Sequence, residues 1–292
     1  MEHKPDIDQL RQLRPALVGL EFLREGGFKA VYKAEIQGRL EAVKVVYLPP
    51  EAGEDGTREE IVARVKREID ALGQCRTNRL VTLGSLSLEP ISVGGYDYLI
   101  YSEELLPGES LRQRLGTRPE LQELRLLIRC LMEALQAIEQ SGHIHRDIKP
   151  DNVMATGLPE RPFVVLDLGI AFKLHGTELT ARNAGPPGTV IYMAPELFQP
   201  QYKDVLDIRS DIYSAGVTVF EYAAGQHPFH RAGESDYTTV YRILNQQPAK
   251  LAALRADLPG PFCQLVDRCF KRRPALRYSN PAAVLRELKA MI

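Results

Sequence analysis

The sequence predicts an α+β fold in two parts, a small β-rich lobe followed by a larger α-helical one, and three observations predict it. At 292 residues the chain can bury a sizeable core as one large domain or two lobes. Alternation of polar with apolar or β-branched residues is concentrated before Pro107-Gly108, and helical spacing of apolar residues dominates after it. Hydrophobic residues make up 44% and charged residues 26%, close to globular averages, which excludes disordered, collagen-like and coiled-coil chains. The boundaries expected on this basis are a short polar, proline-punctuated N-terminal extension over residues 1–18, a first lobe over 19–106 and a second over 107–292.

The elements follow in order. Leu20 to Val46 alternates, turns at Gln37-Gly38-Arg39 and resumes at Glu41, the signature of a hairpin. Beyond Pro49-Pro50 and an acidic, glycine-bearing loop, Ile61, Val65, Ile69 and Leu72 share one face of an amphipathic helix. Strand-like stretches are expected around Leu80–Leu88 and Tyr96–Tyr101. The second lobe opens with Leu121, Leu124, Leu127, Ile128, Leu131, Leu135 and Ile138 on one helical face that ends near Gly142. Further helices are expected at Asp211–Ala224, Thr238–Leu244, Gly260–Phe270 and Pro281–Met291.

Charge and cysteine usage narrow the function classes. Lys plus Arg total 37 against 38 for Asp plus Glu, so the balance offers no global argument for nucleic-acid or membrane binding. Cys75, Cys130, Cys263 and Cys269 show no C-x-x-C spacing and read as reduced core thiols. No signal peptide is expected at the start, Glu2 excludes an N-myristoylation glycine, and no prenylation cysteine is expected at the end. The most apolar stretches are interrupted by Asp167 and Glu221 short of a membrane span, so the location expected is cytoplasmic.

The densest chemical signal is His145-Arg146-Asp147-Ile148-Lys149-Pro150-Asp151-Asn152, followed by Asp167-Leu168-Gly169 after the apolar strand Phe163–Leu166. Any one acid here would ordinarily be a turn or cap residue. Their joint spacing resembles the eukaryotic-type (Hanks-type) protein kinase family, with Lys149 marking the serine/threonine branch. The resemblance spans roughly residues 20 to 290 and implies a bilobal kinase-like fold. It also implies transfer of the γ-phosphoryl of ATP to serine or threonine of protein substrates, autophosphorylation included, with Mg²⁺ or alternatively Mn²⁺.

Phosphoryl transfer needs metal on the phosphates, an oriented hydroxyl and cations around the developing charge. On the resemblance, Asp147 accepts the substrate hydroxyl proton, Lys149 reaches the γ-phosphate, and Asp167 and Asn152 supply hard oxygen ligands to the metal. Ala42-Val43-Lys44 places Lys44 where the family keeps its α/β-phosphate lysine, and Glu68 is its implied helix partner. Against the family's G-x-G-x-x-G-x-V, the stretch Arg24 to Val31 keeps Gly26 in register and adds Gly27, with Arg24 and Lys29 at the outer glycine positions. Phe28 is expected to cap the phosphates and Val31 to pack on the adenine, and Ala42 is counted with Lys44 among the nucleotide-binding residues.

The resemblance further implies an activation segment from Asp167 to Glu196, a Glu196–Arg277 ion pair, an anchoring role for Asp211, and contacts from Thr189 to Asp147 and Lys149. Arg146 would receive a phosphate on Thr177 or Thr180. Glu103 falls at the gatekeeper register, an unusual residue there. Two other readings compete: a pseudokinase acting as a binding or scaffold module, supported by the eroded glycine loop, and a small-molecule phosphotransferase, opposed by Ala194-Pro195-Glu196. The pairs His143/His145 and His227/His230 lack a third metal ligand nearby in sequence and read as structural. From Tyr241 onward ten Lys or Arg face only Asp257, Asp267 and Glu287, a solvated basic face or a docking site for an acidic partner.

Overall fold

The computed structural model describes residues 4–26, 29–50, 57–168, 190–199 and 206–291. The chain divides into two compact units, one built from Met1–Gly73 and Val81–Leu106, the other from Gln74–Leu80 and Pro107–Ile292.

The first unit is a five-stranded antiparallel sheet in the order β1-β2-β3-β5-β4, from β1 (Val18–Gly26), β2 (Lys29–Ile36), β3 (Arg39–Leu48), β4 (Glu89–Val93) and β5 (Tyr96–Glu104). The turn between β2 and β3 is Gln37-Gly38, both at positive φ, as a two-residue hairpin with right-handed strand twist demands. One face buries Tyr32, Ala34, Val43, Val45 and Ile100. The opposite face buries Val46, Leu99 and Tyr101 against Ile61 and Val65 of helix α2 (Thr57–Gln74). The apolar spacing along α2 therefore does what its period implies.

Two expectations need correction here. The N-terminal extension is not set apart from the first lobe: Ile7–Leu13 forms helix α1, capped by Asp6 Oδ1, which accepts from the Asp8 and Gln9 amides at 2.9 and 3.0 Å. Its Leu10, with Leu17 just beyond, is sunk in the same core as Tyr32; sparse apolar residues in a polar stretch conceal a docked helix. The strand expected at Leu80–Leu88 is also displaced, since β4 begins at Glu89 and only isolated bridges at Leu80 and Leu83 precede it. That stretch instead wraps the buried carboxylate of Glu41. Ser85 donates its amide at 3.0 Å and its hydroxyl at 2.6 Å, and Ser102 donates its hydroxyl at 2.5 Å. A Cβ on Gly84 would lie 2.4 Å from both Glu41 Oε2 and Ser102 Oγ, so a side chain there would push these bonded groups apart.

The second unit is mainly helical. Helix α3 (Leu121–Gln140) and helix α4 (Ile208–Ala224) form its buried centre, with Leu124, Leu127, Ile128, Ile212, Val217 and Phe220 excluded from solvent. Asp207 caps α4, and Gly225, in the left-handed region, ends it. Shorter helices at Asp236–Asn245, Gly260–Cys269 and Pro281–Lys289 complete it, close to the expected spans. Beside the helices lies a small sheet ordered β6 (Glu109–Ser110), β7 (Val153–Ala155), β8 (Phe163–Val165). Gly108, at φ +91°, lets β6 approach β7; a Cβ there would stand 2.0 Å from the Ala155 carbonyl oxygen. The four cysteines are free thiols. Among the described residues no helix is long and apolar enough to cross a membrane.

Candidate functional site

In the second unit the turn Pro150–Asn152 hangs between Lys149 and β7, so residues 145–152 form a loop feeding directly into a buried strand. Asp211, in the first turn of α4 and 1% exposed, accepts the backbone amides of His145 and Arg146 at 2.6 and 2.8 Å. Burial pushes its carboxyl up to about 6, against those two amides and the Arg146 charge. His145 is wholly buried, accepts the Asp147 amide on Nδ1 at 3.2 Å and lies 3.2 Å from the Leu166 carbonyl oxygen through Nε2. A ring that accepts at one nitrogen and donates at the other is neutral, in keeping with burial pulling it down to about 4.

On this scaffold Lys149 Nζ stands 2.9 Å from both carboxylate oxygens of Asp147. Asn152 Nδ2 donates to Asp147 Oδ2 at 2.7 Å and to its backbone carbonyl at 2.9 Å. With the amide hydrogens committed, the carbonyl oxygen of Asn152 is its remaining ligand atom. Burial pushes the Asp147 carboxyl above its ordinary range, opposed by Lys149 and Asn152 and assisted by the negative charge of Asp167. Arg146 and Asp167 sit at φ +69° and +47°, a left-handed conformation that costs a non-glycine residue energy and concentrates at working sites. Asp167 and Asn152 each carry a hard oxygen donor of the sort a divalent cation takes.

Sequence reasoning missed the clamp on this loop. Arg112 donates to Asp151 Oδ2 at 3.0 Å, to Tyr192 Oη at 2.6 Å and to Glu221 Oε1 at 3.4 Å. Tyr192 in turn donates to Glu221 Oε2 at 2.5 Å. These partners lie far apart in sequence, and nothing in the spacing of Arg112 marks it. Glu196 meets Arg277 as a bidentate pair with both N–O distances 2.7 Å, and Ser210 Oγ adds a 2.8 Å bond to Glu196. His227 accepts the Phe229 and His230 amides on Nδ1 at 3.1 and 2.8 Å, a structural use.

The first unit carries the other residues. Register sets Lys44 opposite Val31 on β2 and opposite Tyr101 on β5, and Ala42 opposite Glu103. Antiparallel partners point to the same face, so Val31, Ala42, Lys44 and Glu103 share one side of the sheet. Lys44 Nζ is 3.9 Å from Glu68 Oε1 of α2, and it contacts Glu103 Oε1 directly. The expected Lys44–Glu68 pairing is thus present as the looser of two, and Glu103 is the partner that motif reading did not supply. Gly26 ends β1 opposite Lys29. Gly27, Phe28, Thr177, Thr180 and Thr189 lie outside the described residues.

The profile described as the protein kinase domain matches residues 19–288. The chain is 27% identical over 276 residues to a probable serine/threonine-protein kinase of Clostridium perfringens, covering 92% of this chain and 37% of that protein. It is 31% identical over 292 residues to the serine/threonine-protein kinase AfsK of Streptomyces coelicolor, covering 97% and 33%. The chain therefore spans about a third of the length of these two relatives. Among solved structures, the PknI kinase domain of Mycobacterium tuberculosis superposes with a TM-score of 0.64 at 20% identity, covering 95% of this chain and 98% of that one, a likeness of fold.

Proposed function

From the premise that this chain belongs to the protein kinase domain family, we propose that it transfers the γ-phosphoryl group of ATP to serine and threonine hydroxyls of protein substrates, and to its own. The observation that carries this reading is the Asp147 carboxylate held between Lys149 and Asn152 on a loop suspended from Asp211. A general base works best when its affinity for the proton is raised without losing its charge at neutral pH. Burial raises that of Asp147 while the Lys149 ammonium and the Asn152 amide keep the anion stable.

Asp147 then orients the substrate hydroxyl and takes its proton as the phosphoryl group transfers. Lys149, already on the Asp147 oxygens, supplies positive charge where the transferring group gathers negative charge. Asp167 and the Asn152 carbonyl oxygen would hold Mg²⁺, with Mn²⁺ as the alternative, which neutralises the nucleotide phosphates when bound. Lys44 would bind the α/β-phosphates from the first unit, beside Val31 and Ala42, which face the base. Gly26 and Gly27 would cover the phosphates.

The test is transfer of radiolabelled γ-phosphate with Mg²⁺ or Mn²⁺ to the protein itself and to a generic basic protein, beside Asp147→Ala and Lys44→Ala. Label on serine or threonine that disappears with Asp147 supports the reading. Nucleotide binding without transfer under either metal would replace it with a non-catalytic binding module.

A further inference from the structure

The face of the first unit that carries Lys44 holds more acid than base. Lys44 and Glu103 are each 2% exposed and Glu68 is 7% exposed, so one ammonium is buried with at least two carboxylates. Buried charges are costly unless closely paired, and the pairing here is unequal. Glu103 touches the ammonium, whereas Glu68 stops at 3.9 Å, beyond hydrogen-bond length.

The two acids also differ in how they are mounted. Glu103 lies on β5, and its neighbours are hydrogen-bonded on the side away from β3. Ser102 receives the Gly84 amide at 2.8 Å and donates to Leu86 at 3.0 Å, and the Glu104 amide donates to Thr82 at 2.9 Å. On the other side Glu103 pairs with Ala42, two residues from Lys44 along β3. A carboxylate on a strand hydrogen-bonded along both sides is mounted close to its lysine. The sheet geometry thus makes Glu103 the standing partner and Glu68 the secondary one.

We propose that Glu103 is the principal counter-ion of Lys44 and competes with nucleotide phosphate for it, so that this carboxylate sets how tightly the site takes a polyphosphate. The inference rests on the proposed role of Lys44 in binding phosphate. An ammonium has three donors, one of which Glu103 occupies, and an incoming phosphate also meets the negative charge of Glu103 itself. Neutralising that charge without changing the side chain's shape should strengthen polyphosphate binding about tenfold, as removal of one like charge at partly screened distance implies. The nucleoside alone, which carries no phosphate, should be indifferent. Glu103 acts on the nucleotide through Lys44 and is a positioning residue.

The experiment uses the full chain labelled with [13Cε]lysine, the Lys44 resonance being identified by its loss in Lys44→Arg, and compares Glu103→Gln, Glu103→Asp and Glu68→Gln. In nucleotide-free protein the Lys44 resonance should shift strongly in Glu103→Gln and little in Glu68→Gln. By calorimetry, Glu103→Gln should lower the Kd for MgADP about tenfold and leave that for adenosine unchanged. Glu103→Asp, which keeps the charge but shortens the reach, should move the resonance in the same direction by less, and it decides the counter-ion should Glu103→Gln fail to fold. A larger resonance shift in Glu68→Gln, an unmoved resonance in both Glu103 variants, or weaker MgADP binding in Glu103→Gln overturns the proposal. A wild-type chain that binds no MgADP instead removes the phosphotransferase reading. In that case MgADP binding regained in Glu103→Gln sustains the competition, and its absence refutes it.

Discussion

The loop around Asp147 and the sheet face around Lys44 each set a lysine against carboxylate, yet they are assembled differently. On the loop, Lys149 meets Asp147 two residues away, and Asn152, five residues from Asp147, supplies neutral hydrogen bonds. On the sheet, Lys44 draws one acid from α2 and another 59 residues distant on β5. The first cluster is local and pinned by backbone amides on Asp211; the second is assembled by tertiary packing and sets one buried ammonium against at least two carboxylates. A cluster of near neighbours on a pinned loop keeps one geometry. A buried cluster with surplus charge responds when another charge arrives.

The largest effect expected separates the clusters by chemistry. Asp147→Asn keeps the shape of the loop and removes the base, so phosphoryl transfer should fall about 10³–10⁴-fold, read from γ-phosphate incorporation. Global stability should change little, because Lys149 is partly solvated and can turn to water. A loss of activity matched by an equal loss of folded protein would mean that Asp147 is mainly structural, and the contrast between the clusters would collapse.

A second comparison sets both clusters against a fully paired reference. Arg277 donates to both oxygens of Glu196 at 2.7 Å and to the carbonyl oxygens of Lys271, Arg209 and Arg272 at 2.7, 3.0 and 3.0 Å, which uses all five of its N–H groups. Arg277→Ala leaves a buried carboxylate without its cation and should cost about 3–5 kcal/mol in denaturant unfolding. A cost below about 1 kcal/mol, the range of exposed pairs, would show that water reaches Glu196.

What could be read from the sequence follows the same division. The loop around Asp147 was legible because its members lie within eight consecutive residues, where spacing alone dictates proximity. The α+β order of elements was legible from apolar periodicity, as in α2 and α3. Glu103 as a partner of Lys44 was not, because strand register, not motif, brings position 103 beside position 44. Arg112 was hidden for the same reason, since Asp151, Tyr192 and Glu221 reach it from three separate elements. The docking of α1 was missed because a single buried leucine, Leu10, gives no period.

The anchor of the loop offers a test by pH. Burial holds His145 down at about 4 against an ordinary value near 6.5, so its contribution to stability is complete above pH 6.5 and is lost as pH falls towards 4. Burial holds Asp211 up at about 6, so its contribution is complete below pH 4 and is lost as pH rises through 6. The two oppose each other over the same window and flatten the profile of the wild-type chain. Asp211→Asn removes one side of the balance. Its stability should fall about 3 kcal/mol more steeply than a flat profile between pH 6.5 and 4, measured by urea unfolding at several pH values. Parallel profiles in the two proteins would show that the anchor and the histidine do not titrate against each other.

The smallest effect concerns a third buried acid, which lies on the other face of β3 and, among the described residues, is held by hydroxyl and amide donors. Burial pushes the Glu41 carboxyl up, but the Ser102 and Ser85 hydroxyls and the Ser85 amide outweigh it and hold the group below its ordinary value. A depressed acid stabilises the fold above its unfolded value near 4.5, and that contribution is lost as pH falls through the folded one. Ser85→Ala removes one hydroxyl and should cost about 1 kcal/mol at pH 7. The difference from wild type should shrink as the pH is lowered below 4, where protonated Glu41 no longer needs the donor. A cost that stays constant with pH would assign the effect to packing of the Gly84–Leu86 segment. Hydrogen bonds satisfy Glu41 from fixed donors on its own strand pair and the neighbouring segment, so no mobile counter-ion is required there. Glu103, on the adjacent strand β5 but on the opposite face, has Lys44 instead, and on the proposal above that difference makes it the acid that responds to an incoming phosphate.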